Sequence, residues 1–313
     1  MDTSLFTSCR NRLVENCSKV IVGKESVTEE ILIALVASGH VLLEDLPGTG
    51  KTMLLRSFAK SIGGDFRRIQ FTPDLLPSDL TGINFYDQKN GEFVFRRGPL
   101  FSNIVLADEI NRAVPRSQSA LLEVMEEKQI TVDGTTYPMT EPYMVLATQN
   151  PIESYGTFPL PEAQMDRFFM RLSLGYMTRE QETGVIGRTD SIRIIETLGQ
   201  VVSTDEILKM RGTFAEVKLG PEIAGYIMDI IGYTRQSSLL VNGVSTRGAI
   251  ALYKSAQIRA AVEGRDYVIP EDVKKEAPAV LTHRINLTGR SHMDSAGFVN
   301  GMLEEVEVPL EKH

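Results

Sequence analysis

The chain has 313 residues, enough for a sizeable core and two domains, and its 42% hydrophobic and 24% charged residues are the proportions of an ordinary soluble globular protein. Its 41 acidic against 33 basic side chains leave a net charge of -8, which argues against indiscriminate binding to nucleic acid or anionic membranes. No apolar run is long enough to cross a bilayer, and the charged opening MDTSLFTSCRNRL lacks the hydrophobic stretch of a secretory signal, so a cytoplasmic protein with no membrane span is expected.

Residues 1–18 read as a first helix and residues 25–38 as a second, with Ile31, Leu32, Leu35 and Val36 at helical spacing before Gly39. Residues 41–43 and 104–107 are short continuous apolar runs, the pattern of strands buried on both faces of a parallel sheet. Residues 68–71, 143–147 and 169–173 are further strands, alternating with helical patterns at 53–62 and 117–127, which makes the fold α/β. Two insertions read as β-hairpins: residues 83–95 around Asn90-Gly91, and residues 129–137 around Asp133-Gly134, both pairs being type I′ turn signals. After Ser173 the pattern becomes helical, with helices expected at 205–211, 221–235, 247–263 and 270–277. The division predicted is a nucleotide-binding core over 1–198 and an all-α domain over 199–313.

Three motifs in chain order carry the chemistry. LLEDLPGTGKT (42–52) follows a strand and opens a helix, the context in which backbone N–H groups cradle phosphates. Leu46, Pro47, Gly48, Thr49, Gly50, Lys51, Thr52 and Met53 would line that cradle, with Lys51 on the β and γ phosphates and the Thr52 hydroxyl on Mg²⁺. The strict pattern asks for glycine where the chain has Asp45. IVLADE (104–109) ends in two carboxylates: Asp108 would hold Mg²⁺ and Glu109 would act as general base toward water. VLATQN (145–150) ends in Asn150, suited to sensing the γ-phosphate; an Asn-Pro turn with Pro151 is the alternative. Cys9 and Cys17 share one short helix without metal-like spacing and read as reduced, partly buried thiols. His40, His283, His292 and His313 form no ligand set and are expected at ordinary surface or lid positions.

These segments, together with FTPDLLPSDLTG, RRGPLFSNIVLADEINRA, SQSALLEVMEEKQITVDG, VLATQNPIESYGTFPLPEAQMDRF and EGRDYVIPEDV, resemble a MoxR-type AAA+ ATPase over nearly the whole chain. The resemblance implies an αβα P-loop core with an all-α lid, subunits assembled as a homo-oligomeric ring, usually hexameric, and ATP at the subunit interfaces. An acidic residue at position 45 is common in that family. The two hairpins correspond to its helix-2 insert and pre-sensor-1 hairpin, and Asn150 to sensor 1. Arg167 matches the arginine finger, although an ion pair with Asp166 or Glu162 is the plain alternative. Arg247 matches sensor 2, against the alternative of a surface arginine. Ile21, Val22 and Gly23 match the segment covering the adenine, with a plain helix-approach loop as the alternative, and Arg96, Arg97 and Arg112 are either trans-acting or interface ion pairs. The function implied is Mg²⁺-dependent ATP hydrolysis coupled to chaperone-like remodelling of partner proteins, with a von Willebrand factor A domain partner. A nucleic-acid motor and a nucleotide-gated scaffold of little turnover are the rivals.

Overall fold

A computed structural model describes residues 1–45, 48–149, 156–186, 191–288 and 293–309. Its centre is a five-stranded parallel sheet in the order β2-β5-β8-β1-β9, formed by β1 (Val41–Glu44), β2 (Phe66–Gln70), β5 (Ile104–Asp108), β8 (Met144–Gln149) and β9 (Met170–Leu172). Successive side chains alternate between faces, and both faces are covered: Val41, Leu43, Leu106 and Leu146 enter one apolar cluster, while Leu42, Val105, Ala107 and Val145 enter the other. Helices α1 (Ser4–Ser18), α2 (Glu25–Val36) and α3 (Lys51–Ser61) cover the first face, and α4 (Pro77–Thr81) with α5 (Pro115–Glu127) the second.

The two insertions are hairpins, β3 (Gly82–Asp87) with β4 (Glu92–Arg97) and β6 (Gln129–Val132) with β7 (Thr135–Pro138). Asp133 (φ 48°) and Gly134 (φ 80°) form the expected type I′ turn. The first hairpin departs from it: Gly91 alone is left-handed (φ 70°), and its N–H reaches back to the Asp87 carbonyl at 2.8 Å, closing a four-residue connection because Lys89 and Asn90 bond instead to the Asp87 carboxylate. The hairpins are joined to each other. Phe95 stacks on Tyr137 with centroids 4.4 Å apart, and Asn84 Nδ2 donates to Asp133 Oδ2 at 2.6 Å.

Beyond β9 the chain is helical: α6 (Glu162–Met165) precedes that strand, and α7 (Arg179–Ile186), α8 (Ser191–Thr197), α9 (Thr204–Thr213), α10 (Pro221–Gln236), α11 (Thr246–Val262), α12 (Pro270–Leu281) and α13 (Ser295–Glu305) follow it. Their apolar faces merge with the cluster under α1 to α3. A buried charge ties this unit to α2. Arg259 of α11, fully buried, meets Glu276 at 2.6 Å, Glu29 at 3.0 Å and Glu30. Burial, and next the neighbouring Glu30 carboxylate, push Glu276 well above the usual carboxylate range, while Arg259 opposes the shift.

Two expectations need correction. Cys9 and Cys17 are fully rather than partly buried, and burial pushes both thiols up to about 11. His40 and His283 are core residues, not surface ones. His40 Nδ1 accepts from the Val145 N–H at 2.9 Å, which leaves the proton on Nε2 to donate to the Met125 carbonyl at 3.0 Å. His292 and His313 lie outside the described residues.

Two outcomes are expected. Arg259→Met, which strands buried carboxylates, lowers unfolding free energy by about 3–5 kcal/mol in a denaturant titration. Burial lowers His40 from 6.5 to about 4, so the unfolded chain takes up a proton first as pH falls; the stability due to the neutral ring is complete above about 6.5 and is lost toward 4. The melting temperature therefore falls between about pH 7 and about pH 5, and less steeply in His40→Gln.

Candidate active site

In a parallel sheet all strands end on one rim, and the register sets Glu44 opposite Gln149 and Gln70 opposite Asp108 there. From this rim Gly48, Gly50, Lys51, Thr52, Arg68, Asp108, Glu109, Thr148 and Gln149 line a cleft of about 410 Å³, within the range of small-molecule sites.

The turn between β1 and α3 needs its glycines for conformation. Gly48 and Gly50 stand at φ 83° and 88°, while an added Cβ would meet nothing within 4 Å at Gly48 and only Ile21 Cδ1, at 3.4 Å, at Gly50. Gly50 precedes α3 directly, so the unpaired N–H groups of the first helical turn, Lys51 to Met53, open toward the cleft as an anion site. Lys51 Nζ donates to the Asp45 carbonyl at 2.9 Å, a contact a phosphate oxygen can replace. Ile21 packs against this turn, and Val22 and Gly23 follow it toward α2; Leu46 and Pro47 lie outside the described residues.

Asp45, the departure from the strict motif, has a defined task. Its buried carboxylate accepts from Ser173 Oγ at 2.7 Å and from the N–H groups of Leu174 and Gly175 at 2.6 and 3.0 Å. Lys24 Nζ grips the same segment through the carbonyls of Leu174, Gly175 and Tyr176. Glycine at position 45 could not fix the phosphate turn to the segment after β9.

Asp108 and Glu109 leave the end of β5. Thr148 Oγ1 donates to Asp108 Oδ1 at 2.6 Å and accepts from the Glu109 N–H at 2.8 Å, holding Glu109 in a left-handed conformation (φ 57°) sparsely populated by residues other than glycine. The other Asp108 oxygen accepts from Arg68 Nε at 3.0 Å, and Glu109 Oε2 accepts from Gln70 Nε2 at 2.6 Å with Arg112 Nε 3.2 Å away. Asn150 lies outside the described residues.

Arg167 and Arg247 line a different cavity, of about 240 Å³, with Met125, Phe169, Ile250 and Lys254. Both pair with Glu126, at 3.2 and 2.6 Å. The ion-pair alternative for Arg167 named Asp166 or Glu162; its partner is Glu126, because Asp166 is taken by Arg284 at 2.7 Å. Arg96 and Arg97 end β4, with Arg97 over the Phe101 ring at 5.1 Å.

Sequence reasoning missed Arg68, Gln70, Thr148 and Arg284. A polar residue at the end of a buried strand was a usable signal for Gln70 and Thr148; for the two arginines only folding reveals the partner. Asp45→Ala leaves the N–H groups of Leu174 and Gly175 and the Ser173 hydroxyl without their acceptor, and is expected to lower stability by about 1–3 kcal/mol in chemical denaturation, with Asp45→Asn losing less.

Comparison with known proteins places this geometry. The family described as "ATPase family associated with various cellular activities (AAA)" matches residues 40–170, and the AAA lid domain matches residues 232–304. The YeaC protein of Bacillus subtilis is 47% identical over 96% of this chain and 95% of its own length. The chaperone MoxR1 of Mycobacterium tuberculosis is 39% identical over 95% of this chain and 82% of its own. A crystal structure of a protein from Cytophaga hutchinsonii superposes with a TM-score of 0.90 at 40% identity, covering 98% of this chain and 97% of that one. The phosphate turn, the paired carboxylates and the helical lid thus occur together in a chain that belongs to the MoxR family of AAA+ ATPases, nucleotide-binding enzymes that hydrolyse ATP.

Proposed function

We propose that the chain hydrolyses ATP with Mg²⁺ in a hexameric ring whose sites are shared between neighbouring subunits. The observation that carries this reading is the separation of parts: Lys51, Thr52, Asp108 and Glu109 surround one cleft, whereas Arg167 and Arg247 sit together beside another cavity. A guanidinium that serves the transition state from there serves the nucleotide of a neighbouring copy. On this reading Gly48 to Met53 hold the phosphates, with Leu46 and Pro47 completing the turn and Val22 and Gly23 flanking the base. Arg247 acts from the lid on the same neighbouring γ-phosphate as Arg167, and Asn150 orients water as sensor 1.

The donor set fits a hard divalent cation: the Thr52 hydroxyl and the Asp108 carboxylate face one cleft, and Mg²⁺ characteristically takes one or two such oxygens besides phosphate and water. Thr52 and Asp108 would hold it there, and when bound it would supply neutralisation of phosphate charge. Arg68 must then leave the Asp108 oxygen it occupies, and Glu109 must exchange Gln70 for a water before it can take that water's proton. The Glu126 carboxylate bridges the two arginines, and on this reading a phosphate oxygen of the neighbour's nucleotide takes its place.

The hairpins suit a chaperone-like use of hydrolysis on a client protein, acting with a von Willebrand factor A domain partner in the cytoplasm. Among the described residues no helix is long and apolar enough to cross a membrane. The division into a core over 1–198 and a lid over 199–313 belongs to the same reading.

Glu109→Gln is expected to bind ATP as tightly as the parent chain while phosphate release falls about 100-fold or more; unchanged turnover removes Glu109 from the role of base. Arg167→Ala loses on the order of 1000-fold, and an equimolar mixture with Lys51→Ala regains activity above either alone. Absence of recovery in assembled mixtures refutes the shared site.

A further inference from the structure

The segment bearing Arg167 is held from the lid. Arg284, in the 3₁₀ turn after α12, is 2% exposed and places all five of its donors. Nε donates to Asp166 Oδ1 at 2.7 Å, Nη2 to the carbonyls of Phe168 at 2.6 Å and Asp166 at 3.2 Å, and Nη1 to the carbonyls of Phe169 at 3.3 Å and of Val280. His283 Nε2 adds a second bond to the Phe168 carbonyl at 3.0 Å. Four of Arg284's bonds therefore end on residues 166–169, on either side of Arg167. The second oxygen of Asp166 accepts from Ser245 Oγ at 2.9 Å, and Ser245 caps α11, whose second residue is Arg247.

We propose that Asp166 and Arg284 are positioning residues for catalysis: the Asp166 carboxylate, bridging Arg284 and the Ser245 cap, fixes Arg167 and Arg247 as one unit whose two guanidiniums meet a single phosphate. The proposal rests on the reading of Arg167 and Arg247 as trans-acting groups. Burying a guanidinium is expensive unless every donor is met, and this one is met chiefly by three residues around Arg167, namely Asp166, Phe168 and Phe169. By contrast the pairs that Arg167 and Arg247 make with Glu126 are solvent-exposed and weak, so their side chains are free to exchange partners while their backbones are not. The lid and the Arg167 segment then move together, and the spacing of the two arginines survives movement of the lid against the sheet.

The test uses the full-length chain and mixed assemblies. Asp166→Asn keeps the side-chain size while weakening both bridges; ATP affinity is expected to stay within about two-fold of the parent, and turnover to fall on the order of 10- to 100-fold. Mixing Asp166→Asn with Lys51→Ala recovers turnover, because intact arginines from one partner meet an intact cleft from the other. Mixing it with Arg167→Ala does not, since both lesions lie on the arginine side. Ser245→Ala, which removes the exposed hydrogen bond to Asp166 and the α11 cap on the Gly248 N–H, shows the same pattern more mildly and serves if Asp166→Asn fails to fold. A turnover for both Asp166→Asn and Ser245→Ala within about two-fold of the parent overturns the proposal, as does recovery with Arg167→Ala equal to that with Lys51→Ala. If Arg167→Ala alone turns over like the parent chain, it is the underlying reading that fails, and that outcome is distinct from the others.

Discussion

Parallel pairing of β2, β5, β8 and β1 is the constraint on which the site depends. Because these strands run the same way in register, their polar terminal residues, Glu44, Gln70, Asp108 and Gln149, emerge on one rim, while the apolar residues before them are buried on both faces. Four polar residues thus stand at one edge of the sheet, with Thr148 of β8 buried directly behind them and bonded to Asp108. The phosphate turn adds backbone N–H groups to the same rim, since α3 begins where β1 has just ended. The Asp108 and Glu109 carboxylates and these N–H groups thereby border one cleft.

The ionic contacts fall into two classes that differ in what they permit. Arg68 with Asp108, Arg112 with Glu109, and Arg167 and Arg247 with Glu126 are partly exposed pairs, each contributing about 0–1 kcal/mol, and a metal ion or phosphate can replace one partner at little expense. Arg259 and Arg284 are buried, with carboxylates and carbonyls satisfying their donors, and removing a partner there leaves a charge stranded. The working groups are held in the first way and the architecture in the second. Asp45 belongs with the architecture even though it stands inside the phosphate motif, because its carboxylate faces the segment after β9 and only its carbonyl meets Lys51.

Local signals in the sequence were legible where the residue's own chemistry decides the outcome. Gly48 and Gly50 are glycines because of their φ, the runs 41–43 and 104–107 are strands because both faces are covered, and Asp133-Gly134 makes the turn that this dipeptide favours. Asn90-Gly91 carried the same signal and did not, since the Asp87 side chain offered Lys89 and Asn90 acceptors that Val132 could not offer in the second hairpin. Residues whose role is set by a partner far along the chain stayed hidden: His40 by Val145, Asp45 by Leu174, Arg284 by Asp166. Arg167 was visible only through resemblance, and its neighbour in space, Glu126, through folding alone.

The hairpins gain meaning from where they are rooted. The first leaves the chain shortly after β2, which carries Arg68 and Gln70; the second returns directly before β8, which carries Thr148. Both strands pair with β5, so Arg68, Gln70 and Thr148 touch Asp108 and Glu109 from opposite sides. Near the root of the first hairpin the two hairpins are bound by the Phe95–Tyr137 stack and by the hydrogen bond from Asn84 to Asp133 at the tip of the second. A closed loop results, running from Asp108 through β2 and the first hairpin, across the stacked rings, and back through the second hairpin and β8. The loop leaves Phe85, Tyr86 and Phe93 of the first hairpin exposed.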